Sequence, residues 1–265
     1  MFLLLLLNAS CFFDPLGIVG TTDVDERFRE GGALASPGDL SVGANSFSLL
    51  YLTDIHVFQK RNKNLSRLLP LIASDDKAVF FGGDVVQNGG RDDFLLFRAD
   101  ALALGIPCYY TLGNHDIYSG GWTNFRDLLG KNYYQFRAGP ADVFVFDSAT
   151  GTMGASQKEW LDKALQGSTR ELKIVMTHFN LVNPLITELQ EYTDPEEIAY
   201  LMHLFETTGV DLVLMGHAHQ FDDRTIRGVR YLSGQDFVDD GSVKKVTRIE
   251  VSSAGLALSF FEVKP

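Results

Sequence analysis

The feature that constrains this chain most is a series of six short apolar runs, five of which are followed by a motif of aspartate, asparagine or histidine. The runs occupy residues 47–52, 78–81, 108–112, 143–146, 172–176 and 210–215. Most are apolar at every position, which is typical of strands buried on both faces. Apolar residues at helical spacing lie between the runs, as in residues 65–72 and 198–205. This strand–helix alternation predicts a layered α/β fold.

The length and charge of the chain restrict its organisation and partners. We interpret residues 46–265 as one domain, because they contain no internal repeat or second linker. After Gln220 the pattern changes to short strands with turns. The net charge of −11 argues against a stable nucleic-acid complex, which needs basic surfaces. The two cysteines exclude a disulfide framework, and no apolar run approaches the ~20 residues of a membrane-spanning helix.

The first eleven residues resemble a bacterial lipoprotein signal. Phe2 and five leucines precede Asn8, Ala9, Ser10 and Cys11, although no Lys or Arg comes before them. We therefore interpret residues 1–11 as a signal segment with Cys11 as the lipidated residue, and residues 12–45 as a tether. This interpretation predicts a lipid-anchored or exported protein of the bacterial cell envelope. A cytoplasmic location is the alternative.

Five of the six histidines belong to the motifs that follow the apolar runs. Since the carboxyl ends of parallel strands form the ligand crevice of an α/β sheet, these side chains are expected to meet. Each motif alone is an ordinary turn or cap, and the evidence lies in their joint occurrence. The sixth histidine, His203, lies off the apolar stripe of its helix and is expected at the surface. The candidate metal ligands are Asp54, His56, Asp84, Asn114, His178, His217 and His219.

This set of side chains predicts a centre of two metal ions. It offers nitrogen and oxygen donors and no thiolate, which suits Mn, Fe, Zn or Ni rather than a closed structural zinc site. Seven side chains are too many for one catalytic ion, and the carboxylate between the two halves of the set is Asp84. Two divalent ions outweigh two aspartates and a bridging hydroxide, so the centre keeps a positive charge. It could therefore attract a phosphate ester.

The order of the motifs, DxH, GD, GNH(D/E), H and GHxH, resembles that of the calcineurin-like metallophosphoesterases over about residues 46–235. The resemblance implies a four-layer αββα sandwich. It also implies one ion held by Asp54, His56, Asp84 and His219, and another held by Asp84, Asn114, His178 and His217. His115 would be a catalytic residue without being a ligand, acting as general acid or charge stabiliser and paired with Asp116.

This sequence differs from related subfamilies at a few positions, and these differences restrict the expected class of substrate. Gln87 occupies the position of the ligating tyrosine of purple acid phosphatases, and residues 84–89 are similar to the cyclic-nucleotide and general phosphodiesterase branch. Phe179-Asn180 replaces the second histidine common in that branch, which argues against cyclic-nucleotide specificity. Asn180 could contact substrate or form a turn. The loop aromatics Tyr118, Trp122, Phe125 and Tyr192 could stack on substrate or pack internally.

We therefore expect a dinuclear hydrolase of small phosphoric esters, a phosphodiesterase with a metal-bridging hydroxide as nucleophile. One alternative is a phosphomonoesterase of broad specificity, because the same centre can perform both reactions. The alternative from another class is a metal-free interaction scaffold, which the complete set of ligands argues against. The oligomeric state does not follow from the sequence.

Overall fold

Two stacked β-sheets carry the apolar runs. The computed structural model describes residues 23–43, 46–182 and 194–265. The strands in those ranges are β1 Ser46–Leu52, β2 Asp76–Phe81, β3 Cys108–Tyr110, β4 Tyr134–Ala138, β5 Ala141–Val145, β6 Leu172–Met176, β7 Leu212–Met215, β8 Asp222–Ile226, β9 Val229–Ser233, β10 Lys244–Ser252 and β11 Gly255–Val263. The α-helices are α1 Val24–Gly32, α2 Lys63–Leu68, α3 Arg91–Ala103, α4 Asn114–Ile117, α5 Gly121–Leu128, α6 Ala155–Gly167 and α7 Pro195–Thr208.

The strands of each sheet that lead into the polar motifs are parallel. The five-stranded sheet has the order β11-β10-β1-β2-β3, with β1, β2 and β3 parallel to one another. The six-stranded sheet has the order β4-β5-β6-β7-β9-β8, with β5, β6, β7 and β9 parallel. Antiparallel strands complete both sheets, with β10 and β11 beside β1, β4 beside β5, and β8 beside β9. The loops after the parallel strands can therefore meet at one edge.

The layered packing explains why the runs are apolar at every position. In β1, Leu50 packs against a core shared with α2, α3 and α5, whereas Leu49 faces the core between the two sheets. In β6, Ile174 faces that same middle core and Val175 packs against α6 and α7. Because successive side chains of a strand point to opposite faces, both faces must be apolar when both are covered. Helices, sheet, sheet and helices form the expected four layers.

The N-terminal cap of α7 is the one that the sequence predicts, whereas the N-terminal cap of α6 is not. The side chain of Asp194 accepts hydrogen bonds from the backbone of Glu196 and Glu197, and Pro195 begins α7, as the sequence pattern predicts. Ser156 and Glu159 have the spacing of a capping box, which predicts a comparable cap by Ser156 for α6. That helix instead begins at Ala155, and the backbone N–H of Ser156 donates to Asp25 of α1. The cap comes from a distant segment, which local spacing cannot show.

The tether interpretation is wrong for residues 23–43. Helix α1 packs against the domain, and its Arg27 is fully buried in an ion pair with Asp147. Further along, Leu40 is buried and forms a parallel bridge with Ala138. Charged side chains of this segment therefore pair with residues that are far away in the sequence, and the segment is not a solvated linker. The predicted signal segment 1–11, its Cys11, and residues 12–22 lie outside the described residues.

None of the helices within the described ranges is both long enough and apolar enough to span a bilayer.

Candidate metal centre

The loops after five parallel strands bring the seven candidate ligands together. Asp54 and His56 follow β1, Asp84 follows β2, and Asn114 begins the short helix α4 after β3. The remaining three come from the other sheet, His178 after β6 and His217 and His219 after β7. Nitrogen and oxygen atoms of the six aspartate and histidine side chains approach within 4.8 Å in overlapping groups, one of which also includes His115. Oδ1 of Asn114 lies within 3.1 Å of nitrogen atoms of His178 and His217. The sequence prediction that these residues meet is thus confirmed.

One group, here called the outer half, consists of Asp54, His56 and His219 together with Asp84. The Nε2 atoms of His56 and His219 lie 3.1 Å apart. The Oδ1 atom of Asp54 lies 3.3 Å from Nε2 of His219 and 3.8 Å from Nε2 of His56. Two imidazole nitrogens and a carboxylate oxygen thus point at one small volume.

The second group, here called the inner half, consists of Asn114, His178 and His217 together with Asp84. Nε2 of His178 lies 3.1 Å from Oδ1 of Asn114, and Nδ1 of His217 lies 3.0 Å from the same oxygen. Nε2 of His178 is also 3.2 Å from Oδ2 of Asp84. The hydroxyl of Tyr118 accepts a hydrogen bond of 2.9 Å from the Asn114 amide, which directs the amide oxygen to this group.

Asp84 joins the two halves. Its Oδ2 atom lies 3.2 Å from Nε2 of His178 and 3.8 Å from Nε2 of His56. Its other oxygen accepts a hydrogen bond of 2.8 Å from the backbone N–H of His115. A Cβ atom on Gly113 would lie 2.1 Å from Oδ1 of Asp84, so the glycine of this motif is required by close packing. The geometry is that of a carboxylate able to bridge two ions.

The backbone is strained at the ligands themselves. Positive φ angles, which are unusual for residues with a side chain, occur at Asp54 (53°), His56 (49°), Asp84 (51°), His217 (69°) and His219 (55°). Each such residue costs about 1–3 kcal/mol and persists only where the surrounding structure holds it. Strain concentrated on one cluster is typical of a functional site.

Burial and opposing charges set the protonation of the metal-free cluster. Burial alone would raise the pKa of Asp54, but His219 and His178 lower it to about 2. His56 has its pKa lowered to about 4, mainly by burial, so the ring is neutral and able to ligate. Burial would lower the pKa of His178, yet the carboxylates of Asp84 and Asp54 raise it to about 9. Against the effect of burial, nearby histidines also hold the pKa of Asp84 well below its ordinary value, so the carboxylates of Asp54 and Asp84 are ionised at neutral pH, as metal ligands must be.

The hydrogen bonds of His178 show that the cluster fits a cation. Its Nδ1 atom lies 2.8 Å from the carbonyl oxygen of Gly82, which accepts a proton and offers none. A neutral ring then has a lone pair on Nε2, facing the oxygens of Asp84 and Asn114. These atoms attract one another only if the ring is protonated or if a cation lies between them. The nitrogen and oxygen donors suit a divalent metal.

His115 has a different partner from the expected one. Its Nδ1 atom lies 2.7 Å from the carbonyl oxygen of Gln87. The two oxygens of Asp116 instead accept hydrogen bonds from the backbone N–H groups of Val86 and Gly113. Burial and the nearby Asp84 carboxylate raise the pKa of Asp116 to about 8. The structure thus corrects the pairing of His115 with Asp116. His115 pairs with the carbonyl of Gln87, and both carboxylate oxygens of Asp116 accept hydrogen bonds from the backbone of two loops.

The remaining sequence candidates have structural surroundings of their own. Asn180 is buried, and its amide donates a hydrogen bond of 2.5 Å to the carbonyl of Gly216. Trp122 and Phe125 are fully buried in the core, so packing is the correct alternative for both. Tyr192 lies outside the described residues. As predicted, His203 is exposed on α7.

Sequence reasoning missed two residues that orient ligands. Thr53 donates a hydrogen bond of 2.7 Å from its hydroxyl to Oδ2 of Asp54. Tyr118 orients Asn114, as described above, although it had been considered only as a stacking or packing group. Their positions in the sequence could have identified both residues. Thr53 directly precedes Asp54, and Tyr118 lies four residues after Asn114, the spacing at which side chains meet on a helix.

A family model described as calcineurin-like phosphoesterase matches residues 47–221. No curated protein matches the chain. Among solved structures, a purple acid phosphatase from yellow lupin seeds is similar over 87% of this chain and 53% of its own, with a TM-score of 0.68 and 15% identity. The chain thus spans about half the length of that phosphatase.

Two other solved structures share the fold. GAP50, described as the anchor in the inner membrane complex of Plasmodium, has a TM-score of 0.63 and 14% identity over 83% of this chain and 86% of its own. A putative 5′-nucleotidase from Staphylococcus aureus has a TM-score of 0.57 and 13% identity, over 83% of this chain and 55% of its own. At such identities the likeness concerns the fold alone.

Proposed function

Because the chain belongs to the calcineurin-like phosphoesterase family, we propose that it is a phosphoric ester hydrolase that cleaves small phosphodiesters at a centre of two divalent metal ions. One observation carries the proposal. Asp84 lies between two groups of nitrogen and oxygen donors, and the same carboxylate oxygen faces a histidine of each group. This is the arrangement that a pair of ions with a shared ligand requires.

We assign the ligands by the two halves of the centre. Asp54, His56, His219 and Asp84 would hold one ion, and the inner half would hold the other. The donor set suits Mn, Fe, Zn or Ni. When bound, two such ions lower the pKa of coordinated water and stabilise charge on the attacking and leaving oxygens of a phosphoryl group.

His115 is the proposed catalytic residue beside the ions. The Gln87 carbonyl accepts the proton of its Nδ1 atom, which fixes the ring and leaves Nε2 as the atom that can transfer a proton. The ring packs edge-on against His56 at 4.6 Å between centroids, so it lies beside the outer half. In this position it can protonate the leaving oxygen of the ester. Asp116 supports the site by holding the backbones of Val86 and Gly113.

Two observations from the sequence support a diester rather than a monoester substrate. Gln87 replaces the ligating tyrosine typical of purple acid phosphatases, and residues 84–89 are similar to the phosphodiesterase branch. A phosphomonoesterase of broad specificity is the alternative, because the same centre serves both reactions. GAP50 is described as an anchor, so a scaffold role is known by name within this fold. The complete set of converging ligands favours an enzyme here.

We also propose export and lipid attachment at Cys11, on the sequence of residues 1–11 alone. Expression of the full chain in a bacterium, with mass spectrometry of the membrane fraction, tests this. A Cys11→Ser variant should lose the lipid. An unmodified, soluble chain that retains residue 1 would contradict the proposal.

The function is tested by metal content and substrate preference measured on the same preparation. After gentle purification we expect two ions per chain. With Mn²⁺ added, kcat/KM should be higher for bis(p-nitrophenyl) phosphate than for p-nitrophenyl phosphate. His203→Ala removes an exposed histidine outside the centre and serves as a control, because it should leave both the metal content and the substrate preference unchanged. Preference for the monoester would contradict the diester assignment. A chain without bound metal and without activity would contradict the hydrolase itself.

A further inference from the structure

The N-terminal helix α1 lies outside the region matched by the family model, yet its polar side chains are engaged inside the domain. Arg27 is fully buried, and its guanidinium contacts both oxygens of Asp147, at 2.8 Å from Nε and 3.1 Å from Nη2. A Cβ atom on Gly31 would lie 2.1 Å from Oδ1 of Asn132, so the helix approaches the domain closely. Asn132 in turn donates to Asp147 at 2.8 Å. The contact is specific in charge and shape.

The first connection to the metal centre runs through the residue after Asp147. The hydroxyl oxygen of Ser148 accepts a hydrogen bond of 2.8 Å from the hydroxyl of Thr177 and one of 2.9 Å from the backbone N–H of Phe179. Those two residues flank His178 of the inner half. All four, including Ser148, are buried. Because Ser148 follows Asp147 directly in the chain, the segment that carries Asp147 is hydrogen-bonded to the loop that carries His178.

The second connection leads to Asn114, another ligand of the inner half. Glu30 of α1 accepts a hydrogen bond of 2.6 Å from the indole of Trp122 and one of 2.9 Å from Arg126, both on α5. The N-terminus of α5 packs on α4, where a Cβ on Gly121 would lie 2.2 Å from the carbonyl oxygen of Asp116. Helix α4 begins with Asn114. Helix α1 thus contacts the supports of two inner-half ligands.

Among the described contacts, no comparable path of hydrogen bonds leads from α1 to Asp54, His56 or His219, which belong to the outer half alone. The bridging Asp84, which both halves share, is reached through His115 of α4. Asp54 is held by Thr53 and by the backbone of His217, and Asp84 is held by the backbone of His115. We propose that Arg27 is a positioning residue for the metal ion of the inner half, acting through Asp147 and Ser148 on the loop of His178. This inference rests on the ligand assignment of the proposed function.

The test measures Mn²⁺ binding to the full chain by calorimetric titration of metal-free protein. Arg27→Gln keeps a polar side chain but removes the charge that pairs with Asp147. Since supporting partners of metal ligands typically contribute 10–100-fold to affinity, we expect the inner ion to bind about 10-fold more weakly. Arg29→Gln is the matched control, because Arg29 is exposed on the same helix. It should bind both ions as the unaltered chain does.

Two backgrounds identify which ion is affected. His219→Ala leaves the inner half intact, and adding Arg27→Gln there should weaken the remaining ion about 10-fold. His178→Ala leaves the outer half, and adding Arg27→Gln there should change affinity by less than about twofold, as expected of independent sites. Equal weakening in both backgrounds would show a general loss of structure and overturn the proposal. So would unchanged affinity in the His219→Ala background.

Ser148→Ala tests the connection without removing the buried charge pair. It deletes the acceptor for Thr177 and Phe179 and leaves Arg27 and Asp147 in place. We expect weaker binding of the inner ion while hydrogen exchange in α1 stays as slow as in the unaltered chain. If Arg27→Gln does not fold, this variant decides, and unchanged metal affinity would overturn the proposal. An unaltered chain that binds fewer than two ions would instead contradict the proposed function.

Discussion

The two halves of the metal centre differ in the burial of one histidine each, His178 in the inner half and His219 in the outer half. His178 of the inner half has no exposed side-chain surface, whereas His219 of the outer half is 30% exposed. The inner half also rests on the core through Ser148 and the loop after β5. The other two histidines do not follow this contrast, because His56 of the outer half is only 5% exposed and His217 of the inner half is partly exposed. The comparison therefore indicates that His178 belongs to the folded interior, whereas His219 reaches solvent, where substrate can approach. Metal exchange should accordingly be faster in the outer half.

The largest effect is expected at Asp84, the candidate ligand that both halves share. Asp84→Asn keeps an acceptor for the backbone N–H of His115 but removes the charge that both halves use. Both ions should be lost, and activity should fall by more than the ~10²–10⁴-fold that a general acid contributes. Metal analysis and phosphodiesterase assays check this. Retention of two tightly bound ions would show that Asp84 is not the bridge.

His115 should affect turnover without affecting either half. His115→Ala is expected to lower activity about 10²–10⁴-fold, mainly in kcat, because the group acts as charge develops on the leaving oxygen. The loss should shrink for activated aryl esters, which need little protonation. Its ring lies within reach of His56 and Asp84, so metal content must be measured as well. Loss of an ion would identify His115 as a ligand.

The support of the inner half by α1 can be broken by truncation. A chain that begins at residue 46 lacks Arg27 and leaves the buried Asp147 without its cation. Breaking a buried pair in this way costs about 3–5 kcal/mol. The free energy of unfolding in urea should fall by that amount relative to a chain that begins at residue 23. Equal stabilities would show that helix α1 contributes little to the domain.

The two halves should also respond differently to loss of a histidine in the metal-free protein. His178→Ala removes one of the two hydrogen-bond partners of the buried Gly82 carbonyl and the partner of Oδ2 of Asp84, at about 1 kcal/mol for each lost hydrogen bond. His219→Ala removes a side chain in contact with water and should cost less. Urea unfolding in the presence of a chelator gives both values. A larger cost for His219→Ala would reverse the comparison.

The smallest effect is expected at Asn180, beside the inner half. Its amide binds the carbonyl of Gly216, next to His217. Asn180→Ala should lower the free energy of unfolding by about 1 kcal/mol, the usual contribution of one such hydrogen bond, and leave KM unchanged. Steady-state kinetics and urea unfolding check this. A clear rise in KM with unchanged stability would instead assign Asn180 to substrate binding.

The sequence predicted the fold class and the ligand positions because both depend on local pattern and on one general property of parallel sheets. The run at residues 172–176 coincides with β6, and the runs at 47–52 and 78–81 lie within one or two residues of β1 and β2. Helices α3 and α5 were not identified. Helix α3 has apolar side chains on more than one side, since Leu95 and Leu102 are exposed while Phe94 and Phe97 are buried.

What the sequence determined by itself was the set of candidate ligands and their order, because carboxyl ends of parallel strands meet wherever such a sheet forms. Only the tertiary structure decided the partners of those residues. Arg27 and Asp147 lie 120 positions apart, and nothing in the local pattern of either shows that they form a pair. Likewise, the proton on His115 is held by a backbone carbonyl, that of Gln87, which every residue carries and no motif can identify. Local pattern fixes which side chains reach the strand ends, whereas long-range packing fixes how deeply each is buried and what holds it.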